Sequence, residues 1–373
     1  MTQSTDAREQ VPIAAPQIGD AEIDRVVDVL ESGQLAAGSE VQAFESEYAE
    51  YAGADHAVAA ANGTAALHAA LEAVGVGDGD TVVTTPFSFV ASANAVRHAG
   101  AEPAFADVDP ETFTLDPVAV EERIRAASGD VDAILAVHLY GLPADVGALA
   151  DVADDHGVPL VVDAAQAHGA QYDGEPAGSH GDVACFSFYP TKNMTTAEGG
   201  MITTDDPDVA NAAERFINHG RDRAGYEHVD LGHNFRLTDI AAAIGRAQLR
   251  RLPEFNSARR ENAAVLTERL SETDLVTPTE PDDRRHVYHQ YTVRCGNRSE
   301  VASTLEANSV DTGIYYPIPI HQQPTYDDVD CEAPVAEALA DEVLSLPVHP
   351  GLSERQLDHV CRVLTEEVAA DDV

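Results

Sequence analysis

Lysine is almost missing from this sequence of 373 residues: Lys192 is the only one, and every other of the 22 basic residues is arginine. Basic residues are scarce altogether, 22 against 65 acidic ones, for a formal net charge of −43 and a pI near 4.3. No basic cluster of the kind that grips a phosphate backbone appears, which speaks against a nucleic-acid partner. The arginines of RRLP (250–253) and the Arg259–Arg260 pair lie on a helical stretch and are read as ion-pair partners. Acidic residues are spread along the chain and do not gather in a tail, so a disordered acidic segment is not indicated. The pattern fits a folded protein with an acidic, hydrated surface, as used by halophiles. A salt-rich cytoplasm is expected. Cysteine is sparse too: Cys185, Cys295, Cys331 and Cys361 lie far apart, with no C-x-x-C, so reduced thiols are expected and no metal site or disulfide framework. The first ten residues contain no apolar h-region and no apolar run reaches spanning length, so neither a signal peptide nor a membrane partner is expected.

Against that background one amine has been kept, inside GDVACFSFYPTKNMTTAEGGMITTD (181–205). Lys192 follows an apolar strand, Val183 to Phe188, and a Ser-Phe-Tyr-Pro turn, and precedes the pair Gly199–Gly200. Arginine can replace lysine for charge, but not where a neutral amine must attack a carbonyl, because guanidinium stays protonated. A Schiff-base nucleophile, its pKa lowered from about 10.4, is the reading this context favours over a stray surface lysine.

Residues 1–11 read as a flexible tail. Helical spacing follows over 19–31 and 39–51. Strands are expected at 56–60, 81–85, 103–108, 131–137, 159–163 and 183–188, with helices between them at 65–74, 91–99, 120–127 and 146–156. Strand–helix alternation of this kind implies a mostly parallel sheet with helices on both faces. GVGDGD (75–80) follows a helix and precedes a strand, so it reads as a cap and turn, not a phosphate loop. The turn Asn62-Gly63-Thr64 starts a helix. Such a start offers free N–H groups and a positive dipole end to an anion, though an ordinary N-cap reads the same. Phe87 and Phe89 sit at a strand's carboxyl end, where open α/β sheets bind ligands; either ring could be core or could stack on a flat cofactor. Asp163 ends an apolar strand. A carboxylate there either caps the following turn or faces a cationic ring nitrogen. His168 reads more readily as a satisfied core or turn histidine. A helix is expected at 211–218. Residues 218–236 form a long polar loop of the kind that serves function or an interface. A strong amphipathic helix begins at Thr238, with a kink or break expected at Pro253. Composition shifts beyond it. A large domain over 12–254 and a smaller α/β domain over 255–373 are expected, the latter ending in a helix over 353–368.

One cofactor accounts for these pieces. Pyridoxal 5'-phosphate (PLP) needs a lysine, an acid facing its ring nitrogen, a phosphate cup and a stacking face. Lys192, Asp163, the Gly63-Thr64-Ala65 helix start and Phe89 offer one each. NGTAALHAAL, TTPFSFVASANAV, VHLYGLPADV, VVDAAQAHGA, GDVACFSFYPTKNMTTAEGGMITTDD, LGHNFRLTDIAAAIGRAQL and YYPIPIHQQPTY, in this order, resemble the DegT/DnrJ/StrS family of PLP-dependent nucleotide-sugar aminotransferases over about residues 12–350. The resemblance implies an aspartate-aminotransferase-like α/β fold (fold type I), with a large mostly parallel sheet and a smaller C-terminal α/β domain, in a homodimer with shared active sites. It implies that Lys192 carries the cofactor, that Asp163 pairs with the ring nitrogen, and that Gln166 lies near the phenolic oxygen. By the same resemblance Phe89 stacks on the ring, Thr64, Ala65 and Ser187 hold the phosphate, and Asn234 reaches the phosphate of the other subunit's cofactor. Tyr315, Tyr316 and His321 match the stretch that approaches the nucleotide sugar. The implied reaction moves an amino group from L-glutamate to a 3- or 4-keto nucleotide sugar. A cyclic ketone such as an inosose is an alternative acceptor, and a non-catalytic sensor or scaffold is the alternative of another class. The family's sugar dehydratases carry histidine in place of the lysine, so Lys192 argues against that branch. The sequence departs from the family at Ala197, where glycine is common; alanine does not readily take a positive φ, so a shift of that loop is expected.

Overall fold

The computed structural model describes residues 10–127, 130–222 and 225–368. The tail expected over 1–11 lies outside the described residues except for Gln10 and Val11. Val11 bridges Val310 and packs into the C-terminal core.

The strands are β1 (His56–Ala60), β2 (Thr81–Thr84), β3 (Glu102–Phe105), β4 (Ala133–Val137), β5 (Leu160–Asp163), β6 (Gln171–Tyr172), β7 (Glu175–Pro176), β8 (Val183–Ser187), β9 (Gly200–Thr204), β10 (Arg284–Arg285), β11 (Tyr291–Arg294) and β12 (Val343–Leu346). The helices are α1 (Asp20–Ser32), α2 (Ser39–Ala52), α3 (Gly63–Ala73), α4 (Ala91–His98), α5 (Pro117–Ala126), α6 (Val146–His156), α7 (Pro207–Ile217), α8 (Asp239–Leu270), α9 (Arg298–Ala307), α10 (Pro334–Glu342) and α11 (Glu354–Arg362). Among the described residues seven strands form one sheet in the order β1-β9-β8-β5-β4-β2-β3, and β9 alone runs against the rest. Every residue of β4 is buried, as the apolar run AILAV requires of a central parallel strand.

Side chains alternate across this sheet. In β8, Ala184 and Phe186 join the core formed with Phe44 and Tyr48 of α2, while Val183 and Cys185 join the opposite core under Leu67 and Leu71 of α3. The same alternation in β5 sends Leu160 and Val162 to the first core and Val161 to the second. A period of two therefore carries Ser187 and Asp163, each the last residue of its strand, to the α3 face. A third core forms around antiparallel β11 and β12, with Leu266 and Leu270 of α8, Leu305 of α9 and Val360 of α11.

Two sequence expectations, at Pro253 and at Arg259, are corrected. α8 is one helix of 32 residues that continues through Pro253 without a break. Pro253 lies on the solvent side, between buried Leu252 and Phe255; anchors on both sides hold the axis although one backbone hydrogen bond is lost. Among the described residues Arg259 makes no ion pair. It is buried, and its Nη1 donates to the carbonyls of Tyr288 (3.1 Å) and His289 (3.2 Å), whereas Arg260 pairs with Glu280 and Arg251 with Glu22. Ala197 takes φ 70°, held there by its N–H donating to Thr195 Oγ1 (3.0 Å). The final helix is α-helical only to Arg362 and π-helical over Val363–Val368. The loop at 218–236 is partly paired with itself, through the bridges Asn218–Asn234 and Arg221–His228.

Candidate active site

The site lies at the carboxyl ends of β5 and β8, which are parallel neighbours with Asp163 opposite Cys185. Lys192 follows β8 on a tight turn in which its N–H donates to the Tyr189 carbonyl (2.9 Å). The next residue pins the turn: Asn193 Nδ2 donates to Asn256 Oδ1 of α8 (2.8 Å) and to the Val287 carbonyl (3.1 Å). Desolvation pushes the Lys192 amine down to about 8, against the pull of Asp163, which favours the charged form. An amine with that pKa keeps a neutral fraction of roughly a tenth to a fifth near pH 7, far more than an ordinary lysine, and the neutral form is the one that attacks a carbonyl.

Asp163 is only 5 % exposed. Burial pushes its pKa up, while the Ser92 hydroxyl (2.7 Å to Oδ2), the Ala165 N–H (3.1 Å to Oδ1) and the charge of Lys192 oppose that shift. A desolvated carboxylate with these partners is suited to face a protonated ring nitrogen.

On the same face, α3 begins beside Ser187. Asn62 caps the helix, its Oδ1 accepting the Ala65 N–H (2.9 Å). Gly63 is so close to β8 that an added β-carbon would stand 2.8 Å from Ser187 Cβ. The Ser187 carbonyl is in turn held by His168. A carbonyl can only accept, so His168 Nε2 carries the proton (2.8 Å), and Nδ1 accepts from the Tyr48 hydroxyl (2.8 Å). Burial holds this imidazole neutral, with its pKa pushed down to about 3. His168 is thus the satisfied core histidine expected, and it also supports the helix-start cup.

Phe89 is 56 % exposed although aromatic, and its ring lies 6.0 Å from that of Tyr316. Gln166 Nε2 donates to the Tyr316 hydroxyl (3.2 Å). Lys192, Asp163, Ser187, the Gly63-Thr64-Ala65 start, Phe89, Gln166 and Tyr316 therefore share one neighbourhood. Tyr315 enters through its carbonyl, which accepts from the Tyr140 hydroxyl. The hydrogen bonds and ring contacts of the described residues do not tie His321 to this group. That histidine is buried with its ring near Phe105 and its Nε2 at Glu337 Oε1 (3.1 Å). Asn234 is exposed on the 218–236 segment, and the hydrogen bonds and ring contacts of the described residues do not tie it to Lys192.

Ser92, Tyr140 and the Asn193–Asn256 pair carry no marking in the sequence reading. Only Ser92 had a local signal. It lies four positions after Ser88, and their hydroxyls are 3.3 Å apart.

The donor set fits PLP. The Gly63–Ser187 cradle is open because no β-carbon fills it, the acid and amine sit at adjacent strand ends, and an uncovered aromatic face stands beside them. Bound there, PLP supplies an electron sink for removal of a proton next to the substrate nitrogen. With that group bound, the neutral form of the Lys192 amine would carry the proton, Asp163 would supply its charge and the Gly63–Ser187 cup would receive the phosphate.

Comparison with known proteins agrees. The profile of the DegT/DnrJ/EryC1/StrS aminotransferase family matches residues 16–365. The chain is 42 % identical over 353 residues to a Geobacillus stearothermophilus protein named pleiotropic regulatory protein, covering 92 % of this chain and 94 % of that one. It is 40 % identical over 338 residues to the UDP-N-acetyl-3-dehydro-alpha-D-glucosamine 3-aminotransferase of Acidithiobacillus ferrooxidans, covering 90 % of each. The crystal structure of S. venezuelae DesV in complex with a ketimine intermediate superposes with a TM-score of 0.89 at 39 % identity, covering 93 % of this chain and 94 % of that one. This chain belongs to the DegT/DnrJ/EryC1/StrS family of PLP-dependent aminotransferases.

Proposed function

We propose that the protein transfers the amino group of L-glutamate to a keto nucleotide sugar, with the 3-keto position the first to test, and so makes an amino sugar for a glycan or secondary metabolite. The observation that carries this reading is the convergence of Lys192, Asp163 and the Gly63–Ser187 cup with Phe89 and Tyr316, in a chain so similar to a UDP-sugar aminotransferase. Lys192 holds the cofactor and carries the proton. Asp163 faces the ring nitrogen, Gln166 the phenolic oxygen and Phe89 the ring face. Thr64, Ala65 and Ser187 receive the phosphate, and Tyr316 meets the sugar.

The working unit is a homodimer. The 218–236 segment leaves Tyr226, Val229 and Leu231 bare, the last 92 % exposed, on a molecule otherwise heavily charged. A second copy covering this face would receive Asn234 at its cofactor phosphate. The setting is a salt-rich cytoplasm. Among the described residues no helix is long and apolar enough to cross a membrane.

The Geobacillus relative's name favours a regulatory role as the second reading. One experiment separates the two. The protein is purified in high salt with PLP, reduced with borohydride and mapped by mass spectrometry, then assayed with glutamate and a panel of keto nucleotide sugars and inososes. Pyridoxyl on Lys192 with turnover of a nucleotide sugar supports the proposal. Turnover of an inosose alone selects the cyclic-ketone reading, and no turnover of any acceptor selects the regulatory one.

A further inference from the structure

Tyr140 lies just beyond β4, is buried, and adopts a left-handed backbone (φ 58°, ψ 2°), disfavoured for a residue with a β-carbon. Each of its polar groups is engaged by a different segment. Its N–H donates to Gln166 Oε1 (2.6 Å), its carbonyl accepts from the Gln290 N–H (3.1 Å), and its hydroxyl donates to the Tyr315 carbonyl. The first contact orients the Gln166 amide. A backbone N–H can only donate, so the Gln166 oxygen faces Tyr140 and its amino group faces the site. That amino group gives one hydrogen to the Tyr316 hydroxyl and keeps a second. The Tyr316 hydroxyl, having accepted, keeps its own proton to donate. Tyr140, Gln166, Tyr316 and Tyr315 form a closed circuit joining the end of β4 to the C-terminal segment.

We propose that Tyr140 is a positioning residue for the acceptor substrate: its hydroxyl holds the 315–316 segment so that the Tyr316 hydroxyl, set against Gln166, points its proton at the sugar beside Phe89. The proposal rests on the sugar-aminotransferase reading and adds to it a residue that touches neither cofactor nor substrate.

Tyr140→Phe keeps the ring, its packing on Phe113 and the N–H to Gln166, and removes only the hydroxyl. The expected result is a KM for the keto sugar raised about tenfold with kcat changed less than about twofold, the pattern of lost binding common to ground and transition states. Tyr316→Phe should raise the same KM at least as much. In the double variant the changes should not multiply, because Tyr140 acts through Tyr316. Without cofactor, amide hydrogen exchange over 311–326 should quicken about tenfold in Tyr140→Phe while that of β5 stays as it is. Multiplying fold-changes, an unmoved KM or unchanged exchange over 311–326 would each overturn the proposal. Should Tyr140→Phe fail to fold, Tyr316→Phe alone decides: an unaltered KM sinks it. A wild-type protein that turns over no keto sugar refutes the functional reading instead, and exchange over 311–326 still tests the circuit.

Discussion

Gly63 and Ser187 meet more closely than any two residues with β-carbons could. A β-carbon on Gly63 would lie 2.8 Å from Ser187 Cβ and 3.2 Å from its Oγ, and the Ser187 Cα behind them is backbone. Neither helix α3 nor strand β8 can step aside without moving the cup. Gly63→Ala should therefore weaken PLP binding by about tenfold or more, roughly 1.4 kcal/mol. Spectroscopic titration of the cofactor-free protein measures this. Wild-type affinity in the variant would mean that the cup is not the phosphate site.

Because Lys192 is the only lysine, no other side-chain amine competes when it is titrated, and mass spectrometry separates it from the α-amino group. In the cofactor-free protein, acylation at Lys192 followed by mass spectrometry should reach half its maximum near pH 8, not near lysine's usual 10.5. Asp163 stabilises the ammonium, so Asp163→Asn should move the midpoint further down. An upward shift would contradict the electrostatic account.

Desolvation holds buried histidines neutral: His138, His168 and His286 with pKa values pushed down to about 3, His68 to about 4, and His289 and His349 pushed down as well. Each is depressed below its unfolded value, so from about pH 6.5 downward the unfolded chain binds protons that the folded one refuses. Stability then falls as pH falls. Denaturant midpoints at constant salt should drop between about pH 7 and 5.5, above the range where carboxylates take up protons. A flat profile over that interval would count against these assignments.

Pro253 interrupts the hydrogen bonding of α8 on its exposed side. Replacing it with alanine restores one N–H and removes a ring that crowds the preceding turn, and should stabilise the fold by about 1 kcal/mol. A lower melting temperature for Pro253→Ala would show that the helix depends on the proline ring itself.

A net charge of −43 repels itself across the folded surface. We propose a salt-rich setting, and expect the melting temperature to climb as potassium chloride rises from about 0.1 M, where screening reaches only about 10 Å, toward molar levels. Equal stability at both ends of that range would remove the halophilic interpretation.

Much of the site was legible because it lies at the ends of short regular elements. Asp163 and Ser187 close apolar strands, and alternation in those strands sets which face they reach. The Gly63 start of α3 was readable from its turn residues, and Lys192 from its uniqueness. Pro253 misled because propensity is local, while helix continuity was decided by buried neighbours on both sides. Arg259 misled because its charge said nothing of the carbonyls of Tyr288 and His289 that surround it. His321 carried a family likeness, yet its place beside Glu337 and Phe105 follows from how the C-terminal segment lies across β3.

By itself the sequence determined that one amine was available, that a carboxylate and a hydroxyl would stand at strand ends on one face, and that a helix start would meet them. Hydrophobic periodicity and the loss of every other lysine were enough for that. Only the tertiary structure decided that Ser92 would answer Asp163 from 71 positions away, and that Gln166 and Tyr316, 150 positions apart, would meet beneath Tyr140. Such pairs leave no trace in local pattern, because burial sets only how far a side chain points inward, whereas its partner is chosen by the packing of whole elements against one another.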